Sequence, residues 1–158
     1  MTTPLTKLLK THEGSKKDPH GRHLPYQDSV GKWTIGYGRN LSDVGLSDEE
    51  AEVLLLDDIS RVQRELDEAL PWWRDLDPVR QAVMIDLGFN LGVLTPPGKA
   101  KLLDFTGTLA YIRTRQFEKA VGNLRKTPWH TQVGSRAEDL EWMLVTGNWP
   151  PFIGSTVQ

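Results

Sequence analysis

The sequence predicts an α+β chain, mostly helical and built as two lobes: a small N-terminal lobe with a β-hairpin, a long connecting helix and a helical C-terminal lobe. Three observations lead there. Residues 26–41 are the one stretch with strand character, and Gly31, Gly36 and Gly38 punctuate it. Residues 47–70 place apolar side chains at helical spacing without a break. Beyond residue 71 the chain reads as short helical segments set apart by Pro, Gly and Thr. The expected division is a single domain over 1–158: a lobe of about 14–46 plus a first helix at 3–13, a connecting helix at about 47–70, and a second lobe at about 71–158.

The elements follow in order. Thr3 is placed to cap a helix that starts at Pro4, since proline suits the first helical position and a hydroxyl can take an orphan N–H. Leu5, Leu8, Leu9 and His12 recur at helical spacing, with His12 at the edge of a core, until Gly14 stops the helix beside Glu13. Residues 15–25, SKKDPHGRHLP, hold two Pro, one Gly and five basic side chains counting both His, which predicts only loop or irregular edge structure. Trp33, Thr34, Ile35 and Tyr37 then favour a hairpin whose glycines leave the backbone open to a close neighbour. Ser47 and Glu50 form a capping box ahead of Leu55, Ile59, Val62, Leu66 and Ala69, and a helix over 47–70 would run about 36 Å, a spine joining two lobes. Asp77 and Pro78 open a helix through Leu91 whose middle, AVMIDLGF, is apolar nearly all round and therefore buried. After the breaker LTPPGK, short helices are expected at about 99–104, 108–114, 116–125 and 135–146, the last ending before Gly147. Trp72, Trp142 and Trp149 fall in settings typical of core, and His130 reads as a surface residue.

Composition narrows the function classes. The chain has 158 residues, 38% of them hydrophobic, and at that length it buries roughly 70% of its unfolded surface without a metal or disulfide. The absence of Cys excludes a disulfide scaffold and a thiolate zinc site. Nineteen basic against 21 acidic residues give a net charge of −2, and no apolar run reaches a membrane span, so neither a polybasic nucleic-acid binder nor stable membrane insertion is expected. The N-terminus lacks the apolar stretch of a secretion signal, which predicts synthesis and retention in the cytoplasm until release.

Two carboxyls stand out as a chemical pair. Glu13 ends a helix, where the macrodipole disfavours an ionised carboxylate, as a general acid requires. Asp28 lies on a polar turn that suits an ionised one, and Thr34 offers a hydroxyl that could orient a water. Each also has an ordinary reading: a solvated helix end, a turn-capping Asp, a common strand Thr. Asp18, His20 and His23 fall within six residues, but nothing in that loop fixes them as ligands, so no metal and no cofactor is expected.

The order of the pieces narrows this further. Glu13-Gly14 at a helix end precedes Tyr26-x-Asp28-x-x-Gly31-x-x-Thr34-Ile35-Gly36-Tyr37-Gly38, then Gly45-Leu46-Ser47 and Glu50-Ala51 on the long helix. Phe89-Asn90-Leu91-Gly92, Phe105, Trp129, Gln132, Ser135-Arg136-Ala137 and Thr146-Gly147-Asn148-Trp149 follow. This pattern closely resembles the phage-type lysozymes, glycoside hydrolase family 24, along nearly the whole chain. The resemblance implies a lysozyme-like fold with Glu13, Asp28 and Thr34 as catalytic residues and Arg136 approaching the glutamate. It places Gly38, Asn40, Phe89, Asn90 and Phe105 at the substrate. It also implies hydrolysis of the β-1,4 bond between N-acetylmuramic acid and N-acetylglucosamine by a monomer acting on periplasmic peptidoglycan strands, with inversion. A non-catalytic wall-binding or tail-structural domain and a lytic transglycosylase are the alternatives. One departure is clear: fourteen residues separate Glu13 from Asp28, more than the family's usual spacing, so residues 15–25 contain an insertion. Because the net charge of −2 gives no overall attraction to an anionic wall, steering would fall to a local cluster such as Lys16, Lys17, Arg22 and Arg39.

Overall fold

In the computed structural model, which describes residues 2–99 and 101–154, helices predominate beside one small antiparallel sheet. The chain divides into two units, Met1–Leu54 and Leu55–Gln158, with the boundary inside the long helix.

The first unit opens with α1 (Pro4–Glu13), capped as its sequence predicts: the Thr3 side chain accepts from the Thr6 N–H, and Gly14 at φ 65° closes the helix with an N–H bond to the Lys10 carbonyl. Strands β1 (Tyr26–Gln27), β2 (Trp33–Ile35) and β3 (Arg39–Asn40) follow in the order β1-β2-β3, so the expected hairpin carries a third strand. Thr34 pairs with Tyr26 on one side and Asn40 on the other, which places it mid-sheet. Residues 15–25 are more ordered than a Pro- and Gly-rich loop suggests. A Lys17–His23 bridge and backbone bonds from Asp18 to Arg22 and from Leu24 to Lys16 fold them into a miniature hairpin. His12, expected at a core edge, is exposed, and no residue of α1 is buried.

Helix α2 (Asp48–Ala69) starts at the predicted capping box, where Glu50 accepts from the Ser47 N–H and the Ser47 hydroxyl accepts from the Glu50 N–H. The second unit continues through a 3₁₀ turn (Pro71–Asp75), α3 (Pro78–Leu91), a 3₁₀ turn (Leu102–Asp104), α4 (Thr106–Arg113), α5 (Phe117–Leu124), α6 (Pro128–Val133), α7 (Ser135–Thr146) and α8 (Pro151–Gly154). The helix expected at about 99–104 is reduced to the turn at its end; Ala100 lies outside the described residues. Helix α6, absent from the sequence expectation, begins at a proline and is too short for a period to show.

Val62, Leu66, Trp73, Met84, Leu87, Ile112, Leu124 and Leu144 form the centre of the second unit's core. Two carboxylates are buried at its margin with partners. Glu65 accepts from the Leu94 and Thr95 N–H groups at 2.9 and 3.1 Å, and Glu141 meets Arg125 at 2.8 Å and His130 at 2.7 Å. His130 is therefore half-buried rather than a free surface residue. Trp72 packs on this core as expected, but Trp142 and Trp149 are largely exposed, and Trp73 and Trp129 fill the interior instead. No helix among the described residues is long and apolar enough to cross a membrane.

Candidate active site

Glu13 is the last residue of α1, and the chain reverses immediately after it at Gly14. Its carboxylate lies against the turn between β2 and β3: a Cβ added to Gly38 would sit 2.8 Å from Glu13 Oε2, and Gly38 has φ +87°. The positive φ favours glycine there, and a side chain would in addition push the flexible carboxylate aside. The open hairpin backbone read from the sequence thus has its neighbour, and the neighbour is Glu13.

Asp28 sits at the head of the turn between β1 and β2. Its Oδ1 accepts from the N–H groups of Val30 and Lys32 at 3.0 and 2.9 Å, while Gly31 supplies the positive φ the turn needs. Oδ2 takes neither bond. Thr34, on β2, is the one buried residue among the described residues of the first unit, and its hydroxyl donates to the Lys32 carbonyl at 3.2 Å. With its proton committed, the hydroxyl has only lone pairs left to offer. Asn40 shapes the turn that follows β3, its Oδ1 accepting from the Asp43 N–H at 2.9 Å and its Nδ2 donating to Asp43 Oδ2 at 3.0 Å.

The other predicted residues belong to the second unit. Phe89 and Arg136 line a cavity of about 360 Å³ with Leu55, Ile59, Ile85 and Asp86. Arg136 Nε donates to Asp86 Oδ1 at 2.7 Å, a partner nothing in the sequence pattern singled out. Asn90 is oriented by Trp129, whose indole N–H donates to its Oδ1 at 2.7 Å. Phe105 is partly buried and packs on the core.

A model of the phage lysozyme family matches residues 12–140, which takes in Glu13, the hairpin and Arg136. The chain belongs to the phage lysozyme family. It is also 30% identical over 130 residues to an endolysin of Acyrthosiphon pisum secondary endosymbiont phage 1, covering 77% of this chain and 82% of that one. As a phage lysozyme it is a phage enzyme that breaks down peptidoglycan. The helix-end glutamate, the Asp turn and the strand threonine all fall inside the matched span.

Residues 15–25 of this lysozyme are pinned by Asp18, whose Oδ1 accepts from the His20 and Arg22 N–H groups and whose Oδ2 meets the Arg22 guanidinium at 2.6 Å. The Arg22 backbone bond, with the Arg22 side chain and the His20 N–H, holds the Asp18 carboxyl below its usual range. That carboxylate is spent on its own turn. Two of the four cations expected to steer substrate are likewise occupied: Arg22 by Asp18, and Arg39 by Glu50 through a two-pronged contact. The sequence reading missed Tyr37, which has Lys10 and Lys17 over its ring and His23 at its edge. An exposed aromatic between two glycines was the available signal.

Proposed function

We propose that this phage lysozyme is an inverting muramidase that cleaves the β-1,4 bond between N-acetylmuramic acid and N-acetylglucosamine. Contact of the α1 carboxylate with the glycine turn carries the reading: Glu13 Oε2 lies against Gly38, on the unit that also holds Asp28 and Thr34. In this reading Glu13 gives its proton to the glycosidic oxygen as the bond to the anomeric carbon breaks. A water attacks that carbon from the opposite face. Asp28 Oδ2, which takes neither turn bond, accepts the water's proton, and the Thr34 hydroxyl accepts a hydrogen bond from the same water and fixes its approach. Asp28 Oδ1 is tied to the turn, so the carboxylate is held in one orientation without losing its free oxygen. Arg136 is given no proton-transfer step in this reading; its Nε donates to Asp86 Oδ1. Release of such an enzyme from the cytoplasm to the periplasmic wall accounts for its place in phage-mediated lysis.

Clearing of outer-membrane-permeabilised cells tests the reading. Glu13→Gln should lower the lytic rate by about 10²–10⁴-fold with an unchanged circular dichroism spectrum. Products with reducing ends, and an α-anomer formed first, are expected. Anhydro ends would mean a lytic transglycosylase, and no lysis by the unmodified chain would mean a wall-binding domain.

A further inference from the structure

Of the seven Lys and Arg residues in the first unit, three are neutralised within it: Arg22 by Asp18, Lys32 by Asp43 and Arg39 by Glu50. Lys7, Lys10, Lys16 and Lys17 make no ion pair among the described residues, and two of these four are gathered at one place. Lys10 Nζ lies 4.9 Å and Lys17 Nζ 6.0 Å from the centroid of the Tyr37 ring, whose edge meets His23 at 5.0 Å. A ring face engages one side of an ammonium and leaves its other N–H donors for a ligand. Tyr37 is 41% exposed and precedes Gly38, the glycine under Glu13, while Lys10 stands three residues before Glu13 on α1 and so shares its side of the helix. Lys17 and His23 arrive only because residues 15–25 fold back as a hairpin.

We propose that Lys10, Lys17 and Tyr37 form a binding surface for the carboxylates of the peptide stems on peptidoglycan, an inference that rests on the muramidase reading above. The chemistry selects that partner. N-acetylated sugars of the glycan backbone are uncharged, and the strand's carboxylates sit on the peptide stems borne by alternate sugars. A protein of net charge −2 has no overall attraction for such a polymer, so a local cationic surface beside the acid must supply it. Lysines suit the task, since a compact ammonium on a flexible stem accepts a carboxylate from many directions, as a mobile peptide presents it.

The test compares labelled glycan strands that carry stems with the same strands after amidase treatment and conversion of the lactyl carboxylates it frees to carboxamides. Binding is read by anisotropy in a Glu13→Gln background, so that no cleavage intervenes. The chain should prefer stem-bearing strands by about tenfold, Lys10→Gln and Lys17→Gln should each remove about threefold of that preference, and salt should erode it. Lys126→Gln, at an exposed lysine of the second unit, should keep it. Equal affinity for both strands, or a preference unmoved in the double variant, overturns the inference. So does a double variant that loses adhesion to whole walls yet keeps its preference on strands, which would assign the lysines to another wall anion. Turnover by the unmodified protein is scored separately and reports on the muramidase reading alone.

Discussion

The two units are held by different physics. Among the described residues, all nineteen buried apolar side chains lie in the second, whereas the only buried residue of the first is Thr34. The first unit's order comes instead from directional polar contacts: the Asp28 turn, the Asp18 turn, the Asn40–Asp43–Lys32 chain, and Arg39 on Glu50. Each such contact is worth on the order of 1 kcal/mol, far less than a core side chain. The difference bears on the proposed chemistry, because the polar unit is the one that carries the candidate residues Glu13, Asp28 and Thr34. A carboxylate that must meet solvent and substrate belongs on a scaffold of turns, and the cooperative core is left to the other unit.

Large-to-small substitutions test this contrast most strongly. Leu66 is fully buried on α2, and Leu66→Ala should cost about 2–5 kcal/mol in denaturant unfolding. Val30, 76% exposed on the Asp28 turn, should cost no more than about 0.5 kcal/mol when cut to Ala. Comparable losses at the two positions would mean that the first unit has an apolar core of its own after all.

Gly38→Ala sharpens the comparison from the other side. The added methyl would meet Glu13 Oε2 at 2.8 Å on a backbone at φ +87°, so the turn strains and the carboxylate moves. Unfolding should shift by only about 1 kcal/mol, since little packing is lost. Lytic activity should fall by about tenfold or more, because a displacement of the acid by even 1 Å degrades its alignment. A variant that keeps full activity would separate Glu13 from the chemistry.

What the sequence made legible follows the same division. Caps and breakers are local, and Thr3, Gly14, the Ser47–Glu50 box, Asp77 and Gly147 all act where they were read. Most of the second unit's helices were visible through an apolar middle or through their caps and breakers, but α6 and α8, of six and four residues, span fewer than two turns and were not. Tertiary partners were not legible. Nothing near Arg136 announced Asp86, fifty residues away, and nothing near Trp129 announced Asn90. Arg22 and Arg39 read as free cations because charge counting cannot see that a carboxylate four residues back or eleven residues on folds against them and neutralises them. Composition marked residues 15–25 as irregular, but the carboxylate of Asp18 gathers two N–H groups and a guanidinium, and that one residue orders the turn.

The smallest expected effect concerns the polar glue itself. The Arg39 guanidinium, and then the Ser47 N–H, hold the Glu50 carboxyl down to about 2, below its ordinary value of 4.5. Because the folded value is the lower one, the contact contributes its full stability above pH 4.5, where Glu50 is ionised whether the chain is folded or not. As pH falls from 4.5 toward 2 the unfolded chain takes up a proton that the folded chain refuses, and the contribution drains away; below 2 it is gone. The pair is solvent-exposed, so the effect is small and shrinks further in salt. A carboxyl titration by NMR should place Glu50 near 2, and Glu50→Gln should speed exchange of the Ser47 amide at neutral pH, with the difference closing as the solution is acidified through that window. A midpoint near 4.5 would show that the link between β3 and α2 does not hold in solution, and the first unit would then owe its order to something other than its polar contacts.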